Sequence, residues 1–119
     1  MLLDCSHHVP LGMEDGRILK QQLTASTIWG KAYDANKARL NLKPKGTEGG
    51  AWAALYANEN QFLQVDFGRN VKVSAVATQG RGAMYRWVKE YKLAYSEEGK
   101  TTTLQTYQED YKDKVKRSN

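Results

Sequence analysis

Residues 61–68 read Gln61-Phe62-Leu63-Gln64-Val65-Asp66-Phe67-Gly68, an alternation that sets Leu63, Val65 and Phe67 on one face of an extended chain. Phe62, Gln64 and Asp66 fall on the other face. Successive side chains of a strand point to opposite sides of a sheet, so this period of two commits the segment to a β-strand with one side against a core. Gly68-Arg69-Asn70 has turn composition, and Val71-Lys72-Val73-Ser74-Ala75-Val76-Ala77-Thr78 follows as a second strand neighbouring the first in an antiparallel arrangement.

A third run, residues 90–95, alternates Tyr91, Leu93 and Tyr95 inward with Glu90 and Lys92 outward. It closes at Ser96-Glu97-Glu98-Gly99, where glycine takes a positive φ at little cost. The threonine-rich residues 101–107 have β propensity but a weak apolar side, which fits an edge strand. Ile18 and Leu23-Thr24-Ala25-Ser26 read as short extended pieces, and residues 46–50 as a loop. Residues 51–57 are alanine-rich yet too short for a stable isolated helix, so a single turn or a packed irregular segment anchored by Trp52 is expected. Short strands without a long helical stretch make an all-β sandwich or barrel.

A chain of 119 residues without internal repeat or Pro/Gly/Ser-rich linker has room for one core. Residues 108–119 are almost wholly polar and are expected to be a disordered or frayed tail after a domain at 1–107. The net charge of +5 favours acidic partners, and much of it is concentrated in two stretches. Lys20, Lys31, Lys37, Arg39, Lys43 and Lys45 face only Asp34, and Arg81, Arg86, Lys89 and Lys92 face only Glu90. There is no apolar run of about 18 residues that could span a membrane as a helix.

Catalytic and metal chemistry find little support. Cys5 is the sole cysteine, so an internal disulfide and a thiolate zinc site are excluded. His7 and His8 diverge in an extended segment and lack a third ligand at metal-site spacing, while Ser6 and Cys5 sit too close to His7 in sequence for nucleophile–base geometry. Glu97 and Glu98 are adjacent on a turn rather than opposed across a cleft. Gln79-Gly80-Arg81-Gly82 matches neither the phosphate-loop nor the dinucleotide pattern. A basic β-barrel for single-stranded nucleic acid is the alternative binding function, and it needs Trp29, Tyr85 and Trp87 on one strand face. They fall instead in segments with loop composition. A structural fragment with no binding activity of its own is a further alternative.

The chain resembles a discoidin domain, also called a coagulation-factor V/VIII type C domain. The resemblance begins at Cys5 and runs through Pro10-Leu11-Gly12-Met13-Glu14-Asp15-Gly16-Arg17-Ile18, Leu23-Thr24-Ala25-Ser26, Ala38-Arg39-Leu40-Asn41 and Gly50-Ala51-Trp52. It continues in Phe62-Leu63-Gln64-Val65-Asp66-Phe67-Gly68 and Val76-Ala77-Thr78-Gln79-Gly80-Arg81, and ends in residues 88–99. It implies a jelly-roll β-sandwich or barrel of the galactose-binding-domain-like kind, extracellular, either secreted or the ectodomain of a cell-surface protein. It further implies a non-catalytic module of cell adhesion that binds a cell-surface protein, a glycan or an anionic phospholipid through loops at one end.

By similarity those loops are residues 27–31, about 41–49 and 80–87. The ligand-binding candidates they carry are Ile28, Trp29, Lys31, Lys43, Lys45, Arg81, Met84, Tyr85, Arg86 and Trp87. Ile28 and Trp29 beside Lys31 combine apolar area, an interfacial indole and a positive charge; the alternative is that Trp29 folds back over the core. Trp87 either joins the rim or covers the bottom of the core. The structural candidates are Trp52, Leu63, Val65, Phe67, Tyr91, Leu93 and Tyr95, and Asp66 is expected to bond loop backbone groups. No cofactor is implied other than calcium, which the family admits and no cluster of oxygen ligands places here.

The family pattern closes with a second cysteine bonded to the one at Cys5, and with a tryptophan after the turn at Gly99; the sequence has neither. The resemblance fades beyond Tyr107, so a sandwich lacking its final strands is expected. Loss of the terminal bridge would remove roughly 2 to 5 kcal/mol, and open strand edges would promote self-association with another chain.

Overall fold

The structure, a computed structural model, describes residues 9–81 and 86–97 and, further on, the backbone of residues 105–106, 108–109, 112–113 and 115–117. Its strands are β1 (Leu23–Ala25), β2 (Leu63–Val65), β3 (Glu90–Lys92), β4 (Ala94–Tyr95), β5 (Gln105–Thr106), β6 (Gln108–Glu109), β7 (Lys112–Asp113) and β8 (Val115–Arg117). They pair antiparallel as β1 with β2, β3 with β8, β4 with β5 and β6 with β7. Between β1 and β2 the chain makes two 3-10 turns, Lys31–Tyr33 and Ala35–Lys37, and a third, Lys20–Gln22, leads into β1.

The β1–β2 ribbon builds the core. Leu23 stands opposite Val65, Thr24 opposite Gln64 and Ala25 opposite Leu63. Ile18, Leu23 and Ala35 are buried, and Met13, Ala25, Leu63, Val65 and Phe67 pack on them. The alternating face of residues 61–68 therefore does meet a core, while Phe62 on the opposite face is 48% exposed.

Polar clamps hold both ends of the ribbon. At one end the Gln22 carboxamide accepts from the Leu19 N–H (2.8 Å) and donates to the Asp66 carbonyl (2.9 Å), and the Asp66 N–H donates to the Gln22 carbonyl (2.8 Å). The Asp66 carboxylate accepts from the Gly68 N–H at 2.8 Å, tying the strand to its turn as the sequence implied. At the other end Ser26 and Phe62 exchange two bonds of 2.9 Å, Ser26 N–H to the Phe62 carbonyl and Phe62 N–H to the Ser26 hydroxyl. The loop after β1 leaves from this second end.

Three expectations change. Residues 71–78 are assigned to no strand, and β2 takes β1 as its partner instead. Valine favours strands by packing on a half-buried pleated surface, whereas Val73 and Val76 are 47% and 49% exposed and meet no such surface. Tyr91 and Leu93 are half-buried as expected, but Tyr95 is 53% exposed, because the run breaks at Leu93 into β3 and β4 with different partners. β6, β7 and β8 all lie in the polar segment where a frayed tail is expected; backbone pairing needs no apolar side chains, and β8 adds its backbone to β3. Of the threonine-rich edge strand, residues 105 and 106 form β5, while residues 101–104 and 107 lie outside the described residues.

Candidate functional site

The loop after β1 is pinned from below and left open above. The Trp29 N–H donates to the Ala53 carbonyl at 2.8 Å, and the Trp52 indole N–H donates to the Thr27 carbonyl at 3.0 Å. Trp52, half-buried, thus supports the loop from the irregular segment 51–57. The Tyr33 N–H closes on the Gly30 carbonyl (2.9 Å), and this 3-10 turn brings the Tyr33 ring to 5.0 Å from the Trp29 ring at an interplanar angle of 40°. Trp29 remains 52% exposed and does not fold over the core.

The second loop packs against the first. Lys45 and Glu48 pair through their backbones, and the Glu48 carboxylate holds the Lys37 ammonium at 2.8 Å. The Gly49 N–H donates to the Ala32 carbonyl at 2.9 Å. Gly49 is buried against Tyr33 so closely that a Cβ would enter the ring.

The third loop is closed at its base by the Arg81 N–H donating to the Arg86 carbonyl at 2.8 Å. Gly80 permits that closure, since a Cβ there would stand 2.9 Å from the same carbonyl oxygen. From this base Arg81 reaches back: its Nε donates to the Gly49 carbonyl at 3.2 Å and its guanidinium lies 5.0 Å from the Tyr33 ring centroid. The Arg86 guanidinium lies 5.9 Å from the Trp29 ring centroid. Arg81, Tyr33, Trp29 and Arg86 thus form a row across the loop ends, two tilted rings flanked by two guanidinium groups. Each cation–ring contact contributes about 0.5–1 kcal/mol where exposed and about 2 kcal/mol where water is excluded.

Of the sequence candidates, Trp29, Lys31, Lys43, Lys45, Arg86 and Trp87 are exposed, Trp87 at 45%, while Ile28 and Arg81 are half-buried. Trp29, Arg81 and Arg86 are brought together. Met84, Tyr85, Cys5, His7 and His8 lie outside the described residues. Tyr33, Gly49 and the Lys37–Glu48 pair escaped the sequence reasoning. Tyr33 stands four residues after Trp29, a spacing that signals proximity only once the intervening turn is known.

At the opposite end of the ribbon, Ile18, Gln22, Phe67 and Arg69 help line a cleft of about 170 Å³. That is well under the ~300 Å³ at which pockets for drug-sized molecules begin. Nearby, the Arg17 N–H and guanidinium bond the Asp15 carboxylate, at 3.0 and 2.7 Å, and hold it below the usual carboxylate range. Among the described residues no three His, Cys, Asp or Glu side chains come together to hold a metal ion, and no helix is long and apolar enough to cross a membrane.

The F5/8 type C domain model matches residues 22–119. The chain belongs to the F5/8 type C family. It is similar to retinoschisin of Mus musculus, 36% identical over 97 residues that cover 77% of this chain and 42% of that protein. Coagulation factor V of Mus musculus is 41% identical over 96 residues, covering 76% of this chain and 4% of factor V. Retinoschisin of Homo sapiens is 34% identical over 97 residues. The chain thus spans under half of retinoschisin and a small part of factor V. F5/8 type C domains are β-sandwiches that act as extracellular, non-catalytic binding modules, and this domain is one of them. The family match runs through to Asn119, past Tyr107 where the resemblance of individual residues fades.

Proposed function

We propose that this F5/8 type C domain serves cell adhesion by binding an anionic phospholipid surface through its three loops. The observation that carries the proposal is Trp29, 52% exposed at a loop tip and flanked by the Tyr33 ring and the Arg86 guanidinium. An indole settles at the boundary between headgroups and acyl chains, where its apolar body and polar N–H are both accommodated. Lys31, Lys43, Lys45 and Arg86 are exposed on the same three loops. Each basic side chain near an anionic membrane contributes on the order of 1 kcal/mol. The tilted contact with Tyr33 also limits the indole's freedom before contact, which lowers the entropy cost of ordering it on binding.

The test compares phosphatidylserine vesicles, phosphatidylcholine vesicles and a glycan panel, using the wild type and Trp29→Ala. Binding to phosphatidylserine alone is expected, weakened roughly tenfold or more in the variant, a loss of about 1.4 kcal/mol. Capture of a defined sugar with no lipid preference would make the domain lectin-like. Neither signal would put a cell-surface protein in first place.

A further inference from the structure

The first and second loops are joined by backbone bonding, from the Gly49 N–H to the Ala32 carbonyl at 2.9 Å, and by the Lys37–Glu48 ion pair at 2.8 Å. The third loop has no such backbone seam with them among the described residues. Besides the Arg86–Trp29 contact, two side chains bring it in by hydrogen bonds: Gln79, whose carboxamide accepts from the Asn41 N–H at 3.0 Å, and Arg81. The Gln79 bond lies before the loop, at the start of the second one. Arg81 is half-buried and engages both other loops at once, through the Gly49 carbonyl and the Tyr33 ring. Its own N–H meanwhile fixes the Arg86 carbonyl.

We propose that Arg81 is a positioning residue that docks the third loop, and that the ligand is met by Arg86 and Trp29 instead. The geometry separates the two arginines. The Arg81 guanidinium spends its Nε and one face on groups of the protein, at 3.2 and 5.0 Å. Arg86 is exposed, and its guanidinium lies 5.9 Å from the ring centroid of the half-exposed Trp29. A guanidinium is planar and carries its donors in a fixed fork, so it can lie over a ring while donating in its own plane; an ammonium cannot do both in that way. Lysine at position 81 would keep the charge and lose the docking. Arg86 would then leave Trp29, and the rim would lose a cation held beside its indole.

This inference rests on the membrane proposal only for its functional consequence, so the decisive measurement is made without ligand. In NMR spectra of the free protein, the Arg86 side-chain Nε–H signal is expected to be displaced by the ring current of Trp29. Arg81→Lys is expected to return that signal to its random-coil position while amide protection in Leu23–Ala25 and Leu63–Val65 is retained. A displaced signal that survives in Arg81→Lys overturns the proposal. So does a loss of β1–β2 protection in step with it, since Arg81 would then serve general stability. With phosphatidylserine vesicles, Arg81→Lys and Arg86→Ala are each expected to bind about fivefold more weakly, as for one basic group lost from the surface. If Arg81→Lys alone binds as the wild type does, docking has no functional role and the proposal is overturned. Absence of vesicle binding in every form, wild type included, sinks the membrane proposal and leaves the docking result standing.

Discussion

Gly49 is buried against the Tyr33 ring, and both its backbone groups are committed, the N–H to Ala32 and the carbonyl to Arg81. A methyl group there must push the ring aside, and the ring carries Trp29 on one contact and Arg81 on another. Gly49→Ala is therefore expected to cost about 1–3 kcal/mol, the usual range for forcing atoms into a packed site, and to weaken vesicle binding as well. Urea unfolding and vesicle titration read the two effects; unchanged values in both would show that the ring relaxes freely. The aromatic character of Trp29 and the charge of Arg86 are visible in the sequence. The importance of Gly49 is not, because a glycine's role here depends on what a side chain would strike, and Tyr33 is brought to it by a turn.

The β1–β2 ribbon is the element that aims the first loop, and its far end hangs on one carboxamide. Gln22 binds the Leu19 N–H and the Asp66 carbonyl, and each hydrogen bond contributes about 0.5–1.5 kcal/mol net. Gln22→Ala is expected to lower stability by about 1–3 kcal/mol and to speed amide exchange at Asp66 before it does so at Ala25, as judged by hydrogen exchange. Equal acceleration along the ribbon would mean that Gln22 does not clamp one end. Strand β2 was legible because alternation is a local pattern that Leu63, Val65 and Phe67 display without help. The same logic fails for residues 71–78, since valines report a capacity for strand and only a partner makes one. Tyr95 departs from the pattern for a related reason: alternation assumes an unbroken strand, and the break at Leu93 ends the phase.

Across the whole molecule the charge is +5, from 18 basic and 13 acidic residues. Screening shortens the reach of such charge to about 10 Å at 0.1 M salt and about 3 Å at 1 M. Binding to phosphatidylserine vesicles is accordingly expected to fall steeply over that range in co-sedimentation, and salt-independent binding would assign the contact to the apolar surface of Trp29 alone. By itself the sequence determined the β class, the loop candidates and the family resemblance, because these reside in short-range alternation and in motifs read along the chain. Only the tertiary structure decided that Trp29 stays open, that Arg81 turns inward while Arg86 stays out, and that Tyr33 and Gly49 pack into the candidate site. Those outcomes depend on contacts between residues far apart in the chain, among them Arg81 with Tyr33 and Gly49, and on competition among groups for the same ring faces and carbonyls. Alternation along the chain carries no record of that competition.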